Sequence, residues 1–161
     1  MSSHRTVACL LRAGALLLLL AASASAQDIQ AMQAWSRATP PGTTVGVGYV
    51  MLHNTGKQPR VLVAAASPVA GAVEMHESRL ANSGLAEMRP LRKLVVPAGG
   101  ALTFEPSGKH LMLVGLKAPL VAGQRVPVTF QFQTGEPVTV ELEVRSLTDT
   151  GPAAADHHHP D

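Results

Sequence analysis

Apolar and polar residues alternate with a period of two near the end of the chain. Val126, Val128, Phe130 and Phe132 fall on one side, with Pro127, Thr129 and Gln131 on the other. Beyond Gln133-Thr134-Gly135-Glu136-Pro137, Val138, Val140, Leu142 and Val144 alternate with Thr139, Glu141, Glu143 and Arg145. Successive side chains of a strand point to opposite faces, so these are two half-buried strands, antiparallel across a short connection. Weaker forms of the pattern predict strands over 45–53, 61–65, 72–80, 85–91, 101–105 and 110–116, ahead of those at 126–132 and 138–147. Asn54-Thr55-Gly56-Lys57, Asn82-Ser83-Gly84 and Pro97-Ala98-Gly99-Gly100 punctuate them as turns. Residues 27–43 open on a short strand that Pro40-Pro41 ends, with Trp35 as an anchor and Tyr49 as a second core aromatic. Glycine and proline recur throughout, which leaves little room for crossover helices. The expected fold is all-β, a Greek-key β-sandwich.

The first residues obey a different rule. Arg5 and Arg12 flank or precede a ten-residue apolar run, 13–22, and Ala24-Ser25-Ala26 supplies small residues for cleavage. Residues 1–26 therefore read as a cleaved secretory signal. The run is well short of the roughly 20 residues that span a bilayer, and no later stretch approaches that length, so no permanent membrane span is expected. The expected organisation is a signal at 1–26, one domain at 27–147 and a flexible tail at 148–161, with the mature protein in the periplasm. Cleavage takes Lys+Arg from 13 to 11 against 11 Asp+Glu, leaving a neutral chain that does not suit nucleic-acid binding. The sole cysteine, Cys9, leaves with the signal, which removes disulfides, thiolate nucleophiles and thiolate metal sites. No cysteine stands at the cleavage point to take a lipid.

Candidate chemistry lies in soft and borderline metal ligands. His110-Leu111-Met112 puts an imidazole and a thioether on one side of a strand, with Leu111 opposite. His76 lies in an earlier strand and Met88 in the next, so a hairpin around Asn82-Ser83-Gly84 brings those strands side by side. A third strand carrying His110 and Met112 would complete a cluster of two His and two Met, a donor set that favours Cu(I) over zinc. Spacing alone does not close that geometry, and a Met taken singly is more often core filler.

The same residues resemble the PCuAC family of periplasmic copper(I) chaperones, whose motif is His-(Met)-X10-Met-X21-His-X-Met. Here His76 is followed by Glu77 at the optional Met position. Ten residues then precede Met88, and twenty-one precede His110-Leu111-Met112. Trp35-Ser36-Arg37-Ala38-Thr39-Pro40-Pro41-Gly42, Asn54-Thr55-Gly56, Met88-Arg89-Pro90, Val96-Pro97-Ala98-Gly99-Gly100 and 108–117 are similar too. The resemblance implies a cupredoxin-like β-sandwich that holds Cu(I) near its surface through His76, Met88, His110 and Met112. It also implies delivery to the Cu-A-bearing subunit of cytochrome c oxidase or another periplasmic copper acceptor, with a second copper chaperone as a further partner. The competing reading is a copper-buffering, storage or copper-stabilised interaction protein.

Other candidates are weaker. His157, His158 and His159 form a short imidazole run suited to Cu(II), with Asp156 and Asp161 as oxygen donors, on a tail with no large apolar residue. Met51 and His53 share a strand face and could rim the copper, although a structural role is the plainer reading. Glu74 or Glu77 could orient the His76 ring through its other nitrogen. The mature chain has no Cys–His pair, nucleophile elbow or phosphate-binding glycine loop, so an enzyme is not expected.

Overall fold

The computed structural model describes residues 27–80 and 85–149. The signal expected at 1–26, the turn expected at Asn82-Ser83-Gly84 and the His157–His159 run lie outside the described residues. Ten strands follow one another: β1 (Ile29–Arg37), β2 (Val45–Asn54), β3 (Arg60–Ala66), β4 (Ala72–Leu80), β5 (Ala86–Leu91), β6 (Leu94–Val96), β7 (Ala101–Phe104), β8 (Lys109–Val114), β9 (Arg125–Phe132) and β10 (Val138–Arg145). Among the described residues no helix is long and apolar enough to cross a membrane.

The strands pair in the order β5-β4-β8-β2-β1-β10-β9-β3-β6, and a β3–β4 contact joins the path to itself. Seven strands thus close a barrel, β5 and β6 extend it, and β7 lies along β2. The all-β, cupredoxin-like expectation holds, with the two sheets of the sandwich continuous at their edges. Closure is thin: β3 and β4 meet at the single pair Ala65↔Val73. The pairing of β1 with β10 is parallel, whereas β9 and β10 are antiparallel as the alternation predicts. β7 and β8 run alongside the same edge of β2, so the 105–108 segment is an excursion from one interrupted strand.

The alternating positions of β9 and β10 do fill the interior. Val126, Val128, Phe130 and Leu142 are wholly inaccessible, and Phe130 stacks on Phe104 with ring centroids 6.4 Å apart. Burying a side chain of this size contributes about 1.5–3 kcal/mol. β2 turns glycines inward at 46 and 48, where bulk has no space; a Cβ on Gly48 would lie 2.8 Å from the Leu142 methyl. β6 went unpredicted because three residues are too few to display a period, although Leu94 and Val96 point inward around exposed Val95.

Trp35 and Tyr49 are buried as expected, but they lie apart from the main apolar cluster. They sit opposite each other on the outer face of β1 and β2, with ring centroids 4.5 Å apart. The guanidiniums of Arg145 and Arg37 cover Trp35 at 5.0 and 5.9 Å. A bulge makes this possible. Gln33 takes φ 52° and shifts the register between Met32 and Trp35, so both of those residues face outward.

Asn54 closes the β2 end from inside. Fully buried, it donates to the Gln58 and Val96 carbonyls at 2.8 and 3.1 Å and accepts from the Gly56 amide at 2.9 Å. Asn54→Ala would strand three backbone groups. Urea denaturation should show a loss of about 2–3 kcal/mol, as a lower midpoint at unchanged slope.

Candidate metal centre

β4 lies between β5 and β8, so the hairpin and third strand expected from sequence are the ones that pair. Residues directly opposite in antiparallel strands share a face, and positions two apart share it again. His76 stands opposite His110 on β8, and Glu74 stands opposite Met112. On the other side His76 faces Pro90 and Ser78 faces Met88, so Met88 is one rung removed from His76 along β5. All four candidate ligands therefore share the outer face of this three-stranded sheet. The intervening Met75 and Leu111 face the core and are themselves paired.

Ligand exposure is graded. His110 is 6% exposed, His76 and Met112 are half-buried, and Met88 is 56% exposed. The two imidazole centroids lie 6.1 Å apart with the rings inclined at 42°. Each ring is held by an acceptor. His76 Nε2 lies 2.9 Å from Glu74 Oε2, and His110 Nδ1 lies 3.1 Å from the Gly108 carbonyl. A carboxylate and a carbonyl can only accept, so these nitrogens carry the protons. In the neutral rings the lone pairs then fall on His76 Nδ1 and His110 Nε2, ready for a metal. His76 Nδ1 is buried without a hydrogen-bond partner, as an unfilled ligand position would be.

The Gly108 carbonyl also accepts from the Ser78 amide at 3.1 Å, so one oxygen ties β4 to the excursion that ends at His110. That excursion turns on Ser107, at φ 64°, with the Gly108 amide donating to the Glu105 carbonyl at 3.2 Å. Sequence reasoning missed this clamp. Its signal was the Pro-Ser-Gly turn immediately before Lys109-His110.

The choice between Glu74 and Glu77 resolves in favour of Glu74. Glu77 faces the other side of β4, where it binds Arg79 Nε at 2.6 Å and Lys109 Nζ at 3.4 Å. The Arg79 hydrogen bond, with Lys109 assisting against partial desolvation, holds its carboxyl below the usual range. Lys109 is thereby engaged within the fold, while Arg89 stands opposite Glu77 on exposed β5. An open cleft of about 600 Å³ lies beside the centre where β3 and β4 diverge, lined in part by Val63, Ala64, Glu74, His76, Pro90 and Arg92.

Among the described residues no three His, Cys, Asp or Glu side chains form a metal-holding group. A site built on these two imidazoles would need the thioethers as further donors, and such a set would suit a soft monovalent ion. Met51 and His53 lie farther along the outer face of β2, beyond Trp35 and Tyr49, and pair with β1 and β7 instead of rimming the His76–His110 pair.

Comparison with known proteins places this geometry. In structure, the chain is similar to the apo form of DR1885 from Deinococcus radiodurans: 32% identity, TM-score 0.58, 91% of this chain and 94% of that one covered. The Cu(I) form of DR1885 gives 34% identity and a TM-score of 0.59 over 80% of this chain and 85% of that one. A copper-bound PCuAC domain from PmoF2 shares the fold at 22% identity and TM-score 0.62, covering 74% of this chain and 93% of its own. In sequence, the chain is 35% identical over 123 residues to "Putative lipoprotein Lxx21020" of Leifsonia xyli subsp. xyli, covering 76% of this chain and 73% of that protein. None of these is named for a catalytic activity. The family model described as "Putative lipoprotein LpqE-like" matches residues 29–144, from β1 to β10. The chain therefore belongs to the LpqE-like family and has the fold of the PCuAC copper domains.

Proposed function

We propose that this protein is a periplasmic carrier of Cu(I), holding the ion through His76, Met88, His110 and Met112 and passing it to a copper acceptor. The observation that carries this reading is the β5-β4-β8 register, which sets all four side chains on one outer face, with both imidazoles already held by other acceptors. The Cu(I) form of a relative at 34% identity supports the choice of ion. Four neutral donors leave the ion its charge, which favours Cu(I) over Cu(II), and Glu74 places a carboxylate just outside the ligand set.

Exposure orders the release. An incoming thiolate meets exposed Met88 first and His110 last, so a recipient ligand can bind before the last donor leaves. The Cu-A-bearing subunit of cytochrome c oxidase fits as recipient because its cysteine thiolates are softer and charged. Buffering or storage is the alternative, and a second copper chaperone is a further candidate partner. The leader at 1–26 would release the protein into the periplasm. Relatives bear the name lipoprotein, but here the sole cysteine, Cys9, precedes the apolar run. The His157, His158 and His159 tail would take Cu(II) separately, through hard and borderline donors.

X-ray absorption on the reduced mature protein at one Cu(I) per chain should show nitrogen and sulfur neighbours together. Met88→Leu with Met112→Leu should remove the sulfur shell, and a shell already lacking sulfur would reject the assignment. Glu74→Ala should weaken Cu(I) by about 10–100-fold in a competition assay, the usual cost of losing an outer-shell partner. Replacing His157, His158 and His159 by Ala should abolish a separate Cu(II) uptake in calorimetry and spare Cu(I). For delivery, the Cu(I)-loaded protein is mixed with a reduced apo Cu-A domain and the two are separated. Copper should follow the acceptor even beside a chelator that strips free ion, and its retention by the donor would favour buffering.

A further inference from the structure

Met51 and His53, read from sequence as a candidate rim of the copper or as structural residues, do not rim the His76–His110 pair, and the barrel brings a third side chain to them. Met32 of β1 stands directly opposite Met51, and Gln30 stands opposite His53. Leu52 and Asn54, the alternate residues of β2, are wholly buried, so Met51 and His53 face outward, and Met32 is 42% exposed. The Gln33 bulge ends the regular register immediately after Met32. Directly opposed side chains stand about 4.5–5.5 Å apart at Cβ and diagonal ones about 7–8 Å at Cα, within reach of flexible thioethers and an imidazole. Across β2, Met51 and His53 face Thr103 and Ala101 of β7, which carry no charge to repel a cation. The His53 side chain makes no hydrogen bond or ion pair to another described residue.

We propose that Met32, Met51 and His53 form a second, surface site for a soft monovalent cation of the Cu(I) class. Two thioethers and one imidazole are a neutral donor set of the same kind as the principal centre, with one imidazole fewer and solvent free to take its position. The site is distinct. Val47 of β2 pairs with Met112 of β8, and Met51 lies four residues farther on, about 13 Å at the rise of a strand. The Trp35–Tyr49 pair occupies the face between them. With one ligand fewer, the second site fills after the first, so the carrier accepts a second ion at high copper load.

The test uses the full mature chain with 13C-methyl methionine and follows the side-chain methyl signals as Ag(I), a redox-inert stand-in for Cu(I), is added. Met75 is 6% exposed on the core side of β4 and serves as an internal control. The first equivalent should move Met88 and Met112, and the second should move Met32 and Met51 together while Met75 stays still. Met32→Leu with Met51→Leu should leave the first step intact and lose the second, and His53→Ala should weaken the second alone. Met32 and Met51 signals that stay fixed through excess Ag(I), or that respond identically in His53→Ala, overturn the site. A second equivalent taken up only at His157, His158 and His159 overturns it as well. Should Met32 and Met51 respond while Met88 and Met112 do not, the second site stands and the principal centre is the assignment that fails.

Discussion

The antiparallel register of β4 on β8 is the constraint from which the rest of the site follows, because it fixes side as well as position. Pairing His76 with His110 sends Met75 and Leu111 into the core, and those two residues resist any slip. Slipping β4 by one residue on β8 would turn His76 into the apolar interior, away from His110, and expose Met75. The candidate centre is therefore positioned by hydrophobic burial on the opposite face of the same strands. The energy that fixes its geometry comes from groups that never meet the ion.

The two histidines are prepared by different means. A half-exposed side-chain carboxylate positions His76, whereas a backbone oxygen inside a tight turn positions His110. The second arrangement is stiffer, since the Gly108 carbonyl is also bound to the Ser78 amide. Rigidity therefore rises from Met88 through His76 to His110, along the same direction as burial. A site graded in this way combines one firm anchor with replaceable partners, which suits cargo more than a resident cofactor.

Much of this arrangement was readable from period-two patterns. Alternation in 126–132 and 138–145 gave the core strands, and His110-Leu111-Met112 gave a shared face because two ligands stand two residues apart. Glu74-Met75-His76 encodes the orienting contact in the same manner, while Glu77 falls on the wrong side by parity. What period could not convey were contacts between residues distant in sequence. The Gln33 bulge lets Met32 and Trp35 share the outer face, where Trp35 is buried as expected yet stands apart from the main apolar cluster. The Gly108 clamp depends on a carbonyl, which only the Pro106-Ser107-Gly108 turn could have signalled. The leader, the 81–84 turn and the tail histidines fall outside the described residues.

The seam between β3 and β4 gives the barrel an uneven mechanical character. β4 is laced to β8 by six successive pairs and to β5 by six, yet it joins β3 through Ala65 and Val73 alone. The β4–β5 hairpin, which carries His76 and Met88, is thus a leaf hinged on β8, with its free margin lying over the cleft. Small openings would begin at that margin and carry His76 and Met88 outward as one body, while His110 stays with the main frame. Such breathing would change the bite between the two halves of the ligand set without breaking either half, so the grip on an ion would be tuned by the closure of a barrel.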